Sequence, residues 1–237
     1  SGRFRQGVNS VAVGALAGNA SQNTYAIAIG REAGQTAQGT KGIAIGLQAG
    51  ETAQAANGIA VGAEAGRVGQ NNNAVAVGTL AGANIQGQHA VAVGRQAGQT
   101  GQNNYAIAMG YTAGQTGQGA TTVAIGYQAG LNVQGQNSVA VGRQAGEVGQ
   151  GGQSVAIGIY AGSTGQEQYT VAIGAEAGCT GQLTHSVAVG YQAGKTSQNA
   201  YCVAIGSSAG FNAQGGPSVA VGRLAGCGAQ GNYAVAM

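Results

Sequence analysis

The side chains able to do acid–base, metal or nucleophilic chemistry are few in this 237-residue chain: two His, three Cys, six Glu and no Asp. His89 and His185 are 96 residues apart, and the Glu residues (Glu32, Glu51, Glu64, Glu147, Glu167, Glu176) form no repeated carboxylate pair for acid–base work. Ser, Cys and His never recur in a triad-like constellation, and the Gly-rich stretches lack the Lys-Ser/Thr that a phosphate loop requires. These residues therefore predict no enzyme, no cofactor and no metal site. Two uncharged residue types do recur with spacing: Gln every sixteen residues from Gln6, and Tyr at two recurring places.

That spacing belongs to the whole chain. Val11-Ala12-Val13-Gly14 returns sixteen residues later as Ile27-Ala28-Ile29-Gly30 and continues without insertion to Val219-Ala220-Val221-Gly222. Counting each period from its first Val or Ile, slot 1 is Val/Ile, slot 2 Ala, slot 3 Val/Ile or Met109, slot 4 Gly, slot 7 Ala, slot 8 Gly and slot 12 Gln. A fixed period of this kind marks a repeat architecture in which each unit packs only on its neighbours. Residues 1–10 read as a degenerate first coil, with Arg3, Phe4 and Arg5 as its departures, and residues 11–237 as one array of fourteen repeats plus a partial one.

Alternating β-branched residues closed by Gly read as a short strand, and slots 9 to 12 as a second one. Gly and Asn at slots 4–8 and 13–15 supply the turns, and Gly at this density opposes helix. The fold class expected is all-β: a β-solenoid with 16-residue coils and two short strands per coil. Stacked at the strand spacing, fourteen coils extend about 67 Å. On that spacing His89 and His185 lie about 29 Å apart, and Cys179 and Cys227 about 14 Å apart, too far for a shared metal or a disulfide. With Cys202, these read as small residues at tolerant slots, with an interchain bridge as the alternative.

The slot 12 residues Gln6, Gln22, Gln38, Gln54, Gln70, Gln86, Gln102, Gln118, Gln134, Gln150, Gln166, Gln182, Gln198, Gln214 and Gln230 are expected to form an amide ladder along the axis. Alternation gives the first strand two faces. The larger Val/Ile pair is assigned to the interior, against slots 7, 10 and 12. Ala12, Ala28, Ala44, Ala60, Ala76 and Ala92 are left outside as a lateral interface with another copy. On this assignment the Thr-rich slot 10 column (Thr36, Thr52, Thr100, Thr116, Thr164, Thr180, Thr196), which suggests ice binding, points inward.

Tyr25, Tyr105, Tyr169, Tyr201 and Tyr233 at slot 15, and Tyr111, Tyr127 and Tyr191 at slot 5, are candidate surface contacts for a host receptor or glycan, with stacking along the β surface as the simpler account. Asn19-Ala20-Ser21 is a glycosylation sequon if the chain is secreted. A net charge of +3 spread over the array makes no basic patch for nucleic acid, and no apolar run reaches the roughly 18 to 20 residues of a membrane helix.

The phrases Ser138-Val139-Ala140-Val141-Gly142, Ser154-Val155-Ala156-Ile157-Gly158 and Ser186-Val187-Ala188-Val189-Gly190 resemble the head repeats of YadA-like trimeric autotransporter adhesins, and similar phrases occur in phage and viral fibre proteins. The resemblance implies a left-handed parallel β-roll, three chains side by side, surface display and adhesion. The period of sixteen, against the family's usual fourteen, and the fixed Gln depart from that pattern. Ser1 falls at slot 7 and Met237 at slot 3, so a second copy placed head to tail would nearly continue the register. The functional expectation is a non-enzymatic extracellular structural protein. It would form a fibre or filament by head-to-tail and lateral association, with a trimeric adhesin segment as the alternative and an ice-binding solenoid third.

Overall fold

The structure, a computed structural model, describes residues 4–237; Arg3 of the degenerate first coil lies outside the described residues. The described residues form an all-β parallel β-solenoid of about fourteen 16-residue turns, with no helix. The chain divides into two compact units, residues 1–121 and 122–237. Among the described residues no helix is long and apolar enough to cross a membrane.

In the first unit each turn contributes one strand at slots 1–3, from Val11–Val13 through Val75–Val77 and Val91–Val93 to Ile107–Met109. Pairing is parallel and residue for residue: Val75, Val91 and Ile107 stand side by side, as do Ala76, Ala92 and Ala108. In the second unit the same strand runs from Val123–Ile125 to Val219–Val221 in the same register. Equal slots therefore stack one strand step apart, about 4.8 Å.

The turns explain the invariant glycines. Slot 4 takes a backbone that L side chains rarely adopt (φ +123° at Gly78), and a Cβ there would sit 2.8 Å from the carbonyl oxygen of Gly94, the slot 4 glycine of the next turn. At slot 8, Gly66 has φ +50° and a Cβ would meet Cδ of Gln70 at 2.8 Å. The fixed Gly thus stacks closely on its own copies in one place and makes room for the fixed Gln in the other.

The second strand is less regular than the first. In Asn84–Gln86 and Thr100–Gln102 only slots 10 and 12 pair across turns, because slot 11 is left-handed: Ile85 has φ 55° and Gly101 φ 68°. Beyond Gln150 this side narrows to single paired residues, Thr164 with Thr180 and Thr180 with Thr196.

The interior is the reverse of the facing assigned from sequence. Ala28, Ala44, Ala60, Ala76 and Ala92 are fully buried inside their own turns and pack on the slot 7 column, Ala33, Ala49, Ala65, Ala81 and Ala97; Ala12 packs against the same cluster. They cannot meet another copy, so the lateral-interface assignment of these alanines is overturned. Val and Ile at slots 1 and 3 face outward instead. Slot 1 is half-buried, and slot 3 is about 40% exposed at Ile29, Met109, Ile157 and Ile173. The slot 10 Thr side chains also turn outward rather than inward, exposed at Thr36, Thr52, Thr100, Thr116, Thr164 and Thr180. The physical reason is width: two three-residue strands enclose a space that Ala, Gly and one Gln per turn already fill. Cores at crystal-like density do not accept larger groups without strain.

Candidate functional site

Three features could carry function: the interior Gln column, the outward Val/Ile columns, and the turn residues at slots 5 and 13–15.

Gln22, Gln38, Gln54, Gln70, Gln86, Gln102, Gln118, Gln134, Gln150, Gln166, Gln182, Gln198 and Gln214 are buried, whereas Gln6 is exposed and Gln230 partly so. Gln38 shows the pattern. Its Nε2 donates to the Ile27 carbonyl across the turn (2.7 Å), lies 3.1 Å from the Gly42 carbonyl, and donates to Oε1 of Gln54 in the next turn (3.1 Å). The chain of amides runs Gln22, Gln38, Gln54, Gln70, Gln86, Gln102 in the first unit. In the second it links Gln134 to Gln150 and then runs from Gln166 through Gln182, Gln198 and Gln214 to Gln230. Every link donates toward the C-terminus, so the amide dipoles align and polarise one another. Gln22 Oε1 and Gln166 Oε1, at the starts of these runs, are buried without a partner. This column is structural: it satisfies carbonyls that three-residue strands leave over.

The Val/Ile columns are different in kind. In each unit, two files of apolar, mostly β-branched side chains stand on the outer face of one sheet, one file half-buried and the other exposed in most turns. Scattered surface hydrophobics need no explanation, but contiguous apolar stripes mark interaction surfaces.

The candidate Tyr residues are all exposed, from Tyr111 at slot 5 to Tyr233 at slot 15. The structure joins some of them to a partner that the sequence reading treated separately. Tyr105 stacks on His89 with ring centroids 5.1 Å apart. Tyr169, His185 and Tyr201 form a three-ring column at 4.8 and 5.1 Å. The signal was present in sequence as aromatic rings sixteen residues apart at one slot. At slot 5, Arg95 lies over Tyr111. Tyr160, not among the sequence candidates, lies under Arg143 and accepts a 2.9 Å hydrogen bond from it.

Charged groups form local pairs. Lys195 and Glu176 meet at 2.6 Å, and Lys195 also lies over the Phe211 ring. The hydrogen bond to Lys195, helped by Gln192, holds the Glu176 carboxyl below its ordinary pKa, and the same bond raises that of Lys195. Among the described residues no three His, Cys, Asp or Glu side chains gather where a metal ion could be held. Cys179, Cys202 and Cys227 are free thiols; Cys202 is buried, with Sγ 3.2 Å from the Gly215 carbonyl oxygen.

Fold and surfaces together define a parallel β-solenoid repeat protein with a small-residue interior and an apolar outer stripe on one sheet. Within it, residues 70–97 match the YadA head domain repeat in two copies, in agreement with the likeness carried by the SVAVG-type phrases. A comparison with curated proteins finds no match.

Proposed function

We propose that this chain is a segment of a surface-displayed, adhesin-like fibre in which copies associate side by side through their Val/Ile columns, three to an assembly. The carrying observation is the outward facing of slots 1 and 3 in every turn of both units. Most turns leave a slot 3 side chain exposed, about 40% at Ile29, Met109, Ile157 and Ile173, while the interior takes only Ala, Gly and the slot 12 Gln. Burying such stripes against another copy removes apolar surface from water at about 25 cal/mol per Å², and a repeated surface favours a closed symmetric assembly. The YadA head repeat at residues 70–97 supports the trimer and the extracellular, non-enzymatic adhesive role.

Light scattering coupled to gel filtration tests the reading. Wild type should elute at three times the 22.8 kDa chain mass. Replacement of Ile29, Val77, Ile157 and Ile173 by Lys should give a folded monomer. A monomeric wild type at micromolar concentration would overturn the reading. End-to-end joining of such assemblies into filaments is a finer proposal, tested by negative-stain images across a concentration series.

One observation favours a second reading. Slot 10 Thr side chains stand in register, Thr164 to Thr180 to Thr196, exposed at Thr164 and Thr180 and half-buried at Thr196, so the inward facing that weighed against an ice-binding surface does not hold. Thermal hysteresis measured for wild type and for Thr180→Leu decides it: activity that drops in the variant favours ice binding, and no hysteresis removes it.

A further inference from the structure

Slot 14 varies in size along the chain, from Gln and Asn to Ala and, at Gly152 and Gly216, Gly. Gln136 and Gln168 occupy this slot in the turns that begin at Val123 and Val155, and between them stands Gly152, next to Gly151, which is one turn on from Gly135. The missing side chains open a dent of about 280 Å³ lined by Gly135, Gln136, Asn137, Gly152, Gln153 and Gln168. Its backbone floor is set: Gln153 N–H donates to the Gln136 carbonyl (2.8 Å) and Tyr169 N–H to the Gly152 carbonyl (3.2 Å).

The lining has a consistent chemistry. Its four side chains are all amides, each carrying both donors and acceptors, and none is charged. The nearest carboxylate in sequence, Glu167, turns its Oε2 to the Thr184 N–H (3.1 Å). Tyr169 follows Gln153 in the slot 15 column. One face of its ring is covered by His185 at 4.8 Å, so the other face is on the side of Gln153 and the dent. Paired donor–acceptor groups beside an aromatic face suit a ligand with hydroxyls on its rim and C–H groups on its flat side. A phosphate or sulfate would find no cation here, and an aliphatic group would leave the amides unpaired.

We propose that this dent binds one pyranose ring of a neutral, uncharged glycan. The amides of Gln136, Gln153 and Gln168 would take the hydroxyls and Tyr169 the C–H face. This deepens the adhesive reading above and rests on it for its biological sense. The binding chemistry itself is local to the turns that begin at Val123, Val139 and Val155.

The natural control is built into the fold. Gly152 lies outside the left-handed region, and a Cβ there would meet only the Gln136 carbonyl oxygen at 3.2 Å and its nitrogen at 3.7 Å. Slot 14 carries Gln at Gln88, Gln136 and Gln168 and Thr at Thr24, Thr40 and Thr184, so Gly152→Gln closes the dent with a residue the column already accepts. Gly152→Thr is the second variant if the first alters the circular dichroism or the assembled mass. The full chain is titrated calorimetrically with lactose, maltotriose and chitotriose. At least one should bind wild type saturably, at least tenfold more weakly to the dent-filling variant, and severalfold more weakly to Tyr169→Ala. Absence of binding by all three sugars, or equal binding to wild type and Gly152→Gln, overturns the proposal. The mass by light scattering, measured on the same samples, reports separately whether the lateral assembly holds.

Discussion

The two strands of each turn are held by different means. At slots 1–3 all three residues pair with the turns on either side, and the side chains facing inward are no larger than Ala. At slots 10–12 the middle residue is left-handed, pairing skips it, and past Gln150 only single residues pair. There the buried Gln amide takes over, bonding across the turn to slot 1 and along the axis to the next Gln. Where backbone pairing thins out, one fixed side chain replaces it. That is why slot 12 is invariant while slot 10 varies among Thr, Val, Asn, Ala, Gly and Phe.

The largest effect should come from turning the ladder against itself. Gln86→Glu removes the donor to the Val75 carbonyl and to Gln102 Oε1, and places a carboxylate in a site with no cation. Unpaired buried charge of this kind costs about 3–5 kcal/mol. Thermal unfolding should shift far down at pH 7 and recover partly at acid pH, where the carboxyl is neutral and can donate. Gln86→Leu removes the same bonds without the charge, should cost less, and should show no such pH dependence.

The regular side should fail by overpacking instead. Ala76→Val forces two extra carbons into a filled interior and should cost about 1–3 kcal/mol in chemical denaturation. Val77→Ala, one residue on but facing out, should leave the monomer's stability within about 1 kcal/mol and weaken only the assembly. Equal effects at 76 and 77 would break the comparison.

Relief of strain on the irregular side should be smaller and opposite in sign. Ile85 and Val133 are β-branched residues at φ 55° and 53°, in the slot where Gly69, Gly101 and Gly149 sit at 66–68°. Ile85→Gly should stabilise by about 1 kcal/mol.

The smallest effect belongs to the surface. Glu176→Gln removes the Lys195 pair and should cost under about 1 kcal/mol. Because the Glu176 pKa is depressed, that contribution is present above the ordinary carboxylate pKa and lost as pH falls through the lowered folded value. Because the Lys195 pKa is raised, it is full below the ordinary lysine pKa and lost as pH rises through the raised value.

Much of this was legible in the chain. Period, strands, parallel stacking and the turn glycines follow from letters that repeat without slippage. Which way the first strand faces did not follow. Val-Ala-Val offers two faces, and the rule that larger apolar residues go inside presumes an interior wide enough to hold them. Here the buried Gln side chain occupies the middle, and a Cβ at Gly66 would strike Gln70. The same error turned the Thr column inward. The Tyr169–His185–Tyr201 stack was readable at sixteen-residue spacing. The dent at Gly152 could not be read from the column, which is also small at Ala56, Ala120, Ala200 and Gly216.

Small inside and large outside is the claim on which the assembly rests, and cysteine cross-linking addresses it directly. In a background with Cys179, Cys202 and Cys227 changed to Ser, Ala76→Cys and Val77→Cys are oxidised separately and run under denaturing, non-reducing conditions. The account predicts chain-to-chain disulfides for Val77→Cys and only single chains for Ala76→Cys. Cross-linked species from Ala76→Cys alone would contradict it.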